Sequence, residues 1–329
     1  YTRNVYSGVS TGKMFDKTFD FRVSYYHEED DPNKILESEG ILSEDEIQVI
    51  KDAGDDPLSA SIDGAIYVGD TVGYYAKIDT VIDDQDYSYY QYVGEGNGDY
   101  VVSFSSVGSG LGDYYREGLG IYRWVGIGRG EYLPIELLPL PSKQQLLDVQ
   151  MGYQPFKNFR VNAEAATSYL DRNIISPIND KNNQGNAFSL SANLEQAELK
   201  PLNLDLGLLT FALNSKYIDQ KFQPIDRLNQ PDFIRYWNLL PDTKETNQEE
   251  SIEFKTTYLP WSWLHLNGGV GRFKKVAFNS FRYNAEALVD AQDWFKGSVK
   301  HEFIKSSQLS TNNEWIRQSA DLAKDIGIF

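Results

Sequence analysis

Cysteine is absent from all 329 residues. That removes disulfides, thiol nucleophiles and thiolate metal sites in one step. Methionine and histidine are scarce, at 2 and 3. No run reaches the eighteen or so apolar residues that a membrane-spanning helix needs. Basic residues are outnumbered, 31 Lys+Arg against 48 Asp+Glu, for a net charge of −17. With no basic stripe to neutralise phosphates, nucleic acid is excluded as a partner class. The first residue is Tyr1 rather than Met. The expectation is a processed chain or a piece of a longer one, with no signal peptide left to read.

Tyrosine (22) and glycine (26) are plentiful. They combine in a repeat between Val93 and Tyr132: Val93-Gly94-x-Gly96-x-Gly98-Asp99-Tyr100, Val107-Gly108-x-Gly110-x-Gly112-Asp113-Tyr114 and Val125-Gly126-x-Gly128-x-Gly130-Glu131-Tyr132. A decayed copy precedes them at Val68-Gly69, Gly73 and Tyr75. A phosphate-binding turn needs G-x-G-x-x-G between a strand and a helix. Here the spacing is G-x-G-x-G and strand-like residues such as Val101, Val102 and Phe104 follow. The expectation is a set of β-turns or bulges in which glycine supplies positive φ and the aromatics pack on flanking strands.

Charge divides the chain. Residues 1–141 hold 10 Lys+Arg and 26 Asp+Glu, a balance of −16, and the remainder hold 21 and 22. The change falls at Leu133–Pro141, where three prolines favour extended backbone and interrupt regular elements. The expected domains are therefore 1–141, acidic and β-rich with Gly-Tyr repeats, and 142–329.

In the first region Phe19, Phe21, Val23 and Tyr25 alternate with polar residues as a half-buried strand does. The acidic stretch from His27 to Asp31, with Pro32, is expected to end it. Ser43 with Glu46 three residues on is a capping box, Ile47, Ile50 and Ala53 share a face, and Gly54 suits the residue after a helix. Acidic clusters at Glu28–Asp31, Asp55-Asp56 and Asp83-Asp84-x-Asp86 make calcium the only cofactor worth weighing. None has the ordered twelve-residue ligand spacing, and no cofactor is expected.

After Pro141 alternation dominates. Segments run from Leu147 to Tyr153, Phe159 to Ser168, Phe188 to Glu195, Ile252 to Tyr258, Leu264 to Val270, Phe281 to Ala287 and Phe295 to Phe303. A less clean one spans Leu204 to Tyr217, and another starts near Trp315. They are longer than the usual strand of about five or six residues. Short connections at Pro155–Asn158, Lys200–Asn203, Pro260–Trp263 and Val289–Asp293 alternate with long polar ones at Asp171–Gly185, Asp219–Glu249 and Lys305–Asn313. Lys274–Ala277 is a short exception. Over residues 144–329 the chain thus resembles the Gram-negative outer-membrane β-barrel proteins, which have long alternating strands, short turns at one end and long loops at the other.

The resemblance implies an antiparallel transmembrane-type β-barrel, or part of a larger one, after a small acidic β-rich domain with one short helix. Arg160, Glu164, Asn193, Lys255, Arg282, Glu286, Lys300 and Glu302 would line its interior. The same alternation on a soluble sheet is simply its solvent face. Tyr153, Tyr258, Trp261, Trp263 and Trp294 would form an interfacial girdle near the short-turn end. The partners implied are outer-membrane lipid, then other envelope proteins or the remainder of a longer chain. The function implied is passage, secretion or surface display at the bacterial outer membrane. The alternative is a soluble, secreted or surface-attached β-rich adhesive or structural protein.

An enzyme is not expected, because no G-x-S-x-G elbow or other motif with a mechanism is present. An envelope hydrolase is the third reading, with His265 and His301 its only handles. The connection from Phe222 to Trp237 is unusual in mixing Pro224, Asp226, Arg227, Pro231, Phe233, Arg235, Tyr236 and Trp237. Long loops of this kind are often functional. This one is expected to fold over the barrel rim as a plug or gate wall.

Overall fold

A computed structural model describes residues 1–34, 42–82, 84–226, 232–239, 248–291, 295–308 and 311–324. Asp83, Arg227, Pro231, Asp293 and Trp294, named above, lie outside them. The chain forms two compact units. The first comprises Tyr1–Asn4, Glu29–Lys143 and Asp171–Asp180; the second comprises Val5–Glu28, Gln144–Leu170 and Lys181–Phe329. The charge step at Pro141 thus lies beside an edge of the first unit. A single cut there apportions Val5–Glu28 and Asp171–Asp180 differently.

Two long strands open the chain, β1 (Thr2–Met14) and β2 (Phe19–Asp31). Instead of stopping at His27, β2 continues through the acidic stretch to Asp31. Its Asp30 carboxylate is held by Arg3 (Nε to Oδ1, 2.8 Å) and by the Ser142 amide (2.9 Å), so the charge that argued against a strand is compensated where the strand ends.

The first unit contains α1 (Glu44–Ala53) with the expected capping box. Ser43 Oγ accepts from the Glu46 amide (3.2 Å), and the Ser43 amide donates to Glu46 Oε2 (2.7 Å). Ile50 is fully buried against Ala60 and Leu138. The last carbonyls of a helix need outside donors. Asn173 Nδ2 donates to the carbonyls of Ile50 (2.7 Å) and Gly54 (2.8 Å), and Ser176 Oγ to that of Lys51 (2.6 Å).

Strand β3 (Ser61–Asp63) pairs with β12 (Ile135–Leu137). Between them lie two four-stranded sheets. In the first, β4 (Ala65–Tyr67), β7 (Tyr100–Val102), β5 (Tyr75–Ile82) and β6 (Gln85–Tyr92) are neighbours in that order. In the second the order is β10 (Ile121–Trp124), β9 (Tyr114–Gly118), β11 (Tyr132–Leu133) and β8 (Ser105–Ser106).

The glycine repeats build both sheets the same way. In each copy the first glycine's carbonyl accepts from the residue three on: Val72, Asn97, Leu111 or Arg129, at 3.2–3.3 Å. Gly96, Gly110 and Gly128 supply the positive φ that such a turn needs at its third position. Thr71, with φ 58°, stands there in the decayed copy. The last glycines then cross in pairs, Gly73 with Gly98 and Gly112 with Gly130. A Cβ on any of the four would sit 2.3–2.4 Å from the partner strand's backbone. This is the turn reading, with a closer backbone crossing than the spacing alone implies.

The second unit is built on one sheet. To β1 and β2 are added β13 (Lys143–Phe156), β14 (Phe159–Asp171), β15 (Gln184–Glu198), β16 (Leu208–Ile218) and β17 (Glu249–Trp261). Then come β18 (Leu264–Lys275), β19 (Phe278–Asp290), β20 (Lys296–Gln308) and β21 (Thr311–Ala323). The eleven strands form an antiparallel sheet in the order β1, β2, β13 and onward to β21. All nine alternating segments after Pro141 are strands. The sheet is not a closed barrel; β1 and β21 are its edges. With an odd strand count the two edges run in the same direction, so joining them would make a parallel pair. Most of the long connection expected at Lys305–Asn313 is strand instead, because β20 reaches Gln308, β21 starts at Thr311 and those two residues pair.

Candidate functional site

Side chains alternate faces along a strand, so cross-strand register carries a face from strand to strand. One row runs through Arg160, Asn193, Ala212, Lys255, Gly269, Asn284, Glu302 and Arg317, each opposite the next. Glu164, Arg282, Glu286 and Lys300 fall on the same face, an even number of residues from that row. All eight expected interior residues therefore share one face of the sheet. The same register puts Val161, Leu190, Phe254, Tyr283 and Val299 on the other.

The eight form no single site. Arg160 is held by Asp20, at 2.7 and 2.9 Å from Nη2, and donates from Nε to Asn162 (2.7 Å). Gly152 makes room for it, since a Cβ there would lie 2.2 Å from Arg160 Nη2. Glu164 accepts from Gln150 (3.2 Å) and Ser189 (3.1 Å). With Lys13, Arg22 and Ser191 these residues line an open cleft of about 710 Å³. Asn193 faces Arg160 across the β14–β15 pair. Glu286 accepts from Asn267 (3.0 Å), with Lys300 opposite it.

Lys255, Arg282 and Glu302 meet around a helix that the sequence flagged only as an odd loop. This is α2 (Phe233–Trp237). Tyr236 donates its hydroxyl to Glu253. The Arg282 guanidinium lies 3.5 Å from the Tyr236 ring centroid, with Lys255 Nζ at 5.5 Å. Stacking on a ring face is favourable for a desolvated cation, and Arg282 is buried. Its Nη2 also donates to Glu302 (2.8 Å), whose other oxygen lies 3.4 Å from Arg317 Nη1. Trp237 is buried with Phe273 and Phe278 and stacks on Phe273 at 5.4 Å. Asn238 Nδ2 reaches Ser306 Oγ (3.0 Å). Tyr236, Trp237 and Glu253 were not expected as site residues. The signal was Gly271 in a strand already rich in glycine, for strand glycine marks the close approach of something else. A Cβ there would lie 2.9 Å from Trp237.

At the short-turn end Trp261 and Trp263 stack, with centroids 5.2 Å apart and planes 3° from parallel. Tyr153 is exposed there, and Tyr258 donates its hydroxyl to the Leu206 carbonyl (2.7 Å). His265 lies on the polar face opposite Leu288, while His301 lies on the other face opposite Ala285, its ring against Tyr283. The two histidines do not share a face of the sheet. Among the described residues no group of three or more His, Asp or Glu is placed to hold a metal ion. No protein-family model matches the chain, and no curated protein matches it.

Proposed function

We propose that the long sheet is the wall of an outer-membrane β-barrel, whole or in part, serving passage, secretion or surface display. One observation carries this reading: the apolar face is bare. Phe188 is 53% exposed, Ile252 51% and Val299 60%, with Leu190, Phe254, Val270, Phe281 and Tyr283 exposed around them. A soluble antiparallel sheet packs its apolar face on a core and gives its polar face to water. Here the burial is inverted, since the polar face holds Arg282 and the seated helix. An apolar face this wide fits lipid better than water. Strands of 11 to 15 residues are long enough for the roughly 9–11 residues that a tilted spanning strand needs. Tyr153, Tyr258, Trp261 and Trp263 suit an interfacial girdle.

Strand order also bears on display. The chain leaves the sheet at the end of β2 and returns at the start of β13, with the first unit as the connection. In an antiparallel meander that is the same end as the long Asp219–Gln248 connection. In this class long loops face outward, which supports surface display as the role of that end of the sheet. The test is fractionation of the protein with its natural flanks. Retention in the outer membrane after carbonate extraction is expected; a folded β-protein in the soluble fraction would remove the barrel reading and favour the adhesive or structural one.

A further inference from the structure

We propose that residues 219–226 anchor the connection after β16 on the polar face, and that α2, in the same connection, is a plug seated on that wall and able to leave it. What it controls rests on the barrel reading; the seat itself does not. The described parts of this connection are received at two separate notches. At the first, Gly185 on β15 has the backbone of Phe222 lying over it, where a Cβ would come within 2.1 Å of the Phe222 nitrogen. Phe222 is buried, and the next amide, that of Gln223, donates to the buried Ser168 hydroxyl on β14 (2.9 Å). At the second, Gly271 on β18 receives the Trp237 ring. Glycine weakens a strand interior unless another group must approach closely, and at both positions that group belongs to this connection.

The two notches differ in what holds them. At Gly185 the contact is backbone on backbone, which no side-chain rotation releases. At Gly271 it is made by side chains: Tyr236 on Glu253, Arg282 over the Tyr236 ring, Trp237 against Phe273, and Asn238 on Ser306. The first notch is therefore the anchor and α2 the part that moves. Gly271 lies four residues from the end of β18, roughly 14 Å at about 3.4 Å per residue. That depth sets the plug inside the wall rather than on its rim.

The absence of cysteine makes the test direct. In Asn238→Cys/Ser306→Cys the only two thiols face each other across the seat. They are joined by oxidation or by a short bifunctional thiol reagent, and the protein is reconstituted in planar bilayers. Trp237→Ala and Gly271→Leu empty the seat from either side, so a folding failure of one leaves the other. The expected result is efficient joining in the folded protein, conductance at or below the parent level when joined, and a several-fold rise in both emptied variants. Failure of the thiols to join in folded protein would overturn the seat. Efficient joining with equal conductance in every variant would overturn the plug and leave the barrel standing. Joining with no conductance in any variant would overturn the barrel reading, and the plug's role with it.

Discussion

Tyrosine does opposite work in the two units. In the first, Tyr75 and Tyr114 are almost completely buried, each at the start of the strand that follows the earlier glycine of a crossing pair. Tyr75 Oη accepts from the Tyr122 amide of the second sheet (3.1 Å) and donates to the Gly120 carbonyl (2.8 Å). Tyr114 Oη accepts from the Tyr90 amide of the first sheet (2.8 Å). Tyr90 and Tyr122 each stand three residues before a repeat's valine, so the exchange is reciprocal, with Phe104 packed against Tyr75, Tyr114 and Tyr122 between the sheets. In the second unit Tyr153, Tyr217 and Tyr283 stand exposed on the apolar face. An aromatic-rich composition therefore says nothing about burial. The neighbours decide it: two small glycine-crossed sheets exchange hydrogen bonds through their tyrosines, while a lone long sheet leaves its own facing outward.

The contrast breaks hardest at glycine. Gly98→Ala would place a Cβ 2.4 Å from the Tyr75 backbone, a clash that no side-chain rotation relieves. It should cost about 3 kcal/mol or more, the upper range of overpacking. Gly268→Ala in the long sheet meets nothing nearer than 3.5 Å and should stay within about 0.5 kcal/mol. Hydrogen exchange on the full chain, read separately over residues 61–137 and over the long sheet, checks both. Equal protection losses in the two variants would dismiss the crossing as a determinant of the first unit.

The reciprocal tyrosines come next. Tyr75→Phe and Tyr114→Phe each leave a half-buried backbone amide without its side-chain acceptor, a loss toward the lower end of about 1–3 kcal/mol. The two should be of similar size, and Tyr283→Phe on the exposed face should be near neutral; urea melts rank the three. If only one of the buried pair matters, the reciprocity is decorative.

The same residues give the first unit an alkaline limit. Burial pushes the Tyr75 phenol up to about 12. It also raises Tyr114, and Tyr87, where the hydrogen bond to Asp113 adds to burial. An unfolded tyrosine titrates near 10. Tyr75's share of the stabilisation is therefore complete below about pH 10 and is lost from there to about 12, and the other two lose theirs upward from about pH 10, as the unfolded chain sheds protons that the folded one keeps. Exchange protection over residues 61–137 should fall across that window ahead of the long sheet's. Simultaneous loss would mean the tyrosine lock does not set the limit.

How much of this was legible depended on how local the cause is. The strands after Pro141 were readable because each has two chemically different faces, so period two survives in the sequence. Strand β1 was not, since it is an edge exposed on both faces and Val5 beside Tyr6 breaks the alternation. The neighbouring of β2 and β13 was hidden because the first unit lies between them, and no local pattern reports a contact that distant. The polar face was legible as a set of eight residues. Its division around Asp20 and Tyr236 was not, because nothing local to either residue reports which part of the wall it meets.

The smallest effect tests the most legible element. Ser43→Ala removes the acceptor for the Glu46 amide while leaving the sheets untouched, and should cost about 0.5–2 kcal/mol. Hydrogen bonds from Ser43, the backbone one first, hold the Glu46 carboxyl below its usual range. That contribution is present above the ordinary glutamate pKa and fades as pH falls through the lowered one. The variant loses only the side-chain part of that contribution, so its deficit should be somewhat larger at neutral pH than in acid, with the lost cap to the Glu46 amide remaining at both. Because Ile50 of α1 packs on Ala60 and Leu138, exchange should rise first in α1 and then at β3 and β12, with the two glycine-crossed sheets following only weakly. If those sheets open as readily as α1, the first unit melts as one block, and the crossings do not form the separate, stiffer core that sets it apart from the long sheet.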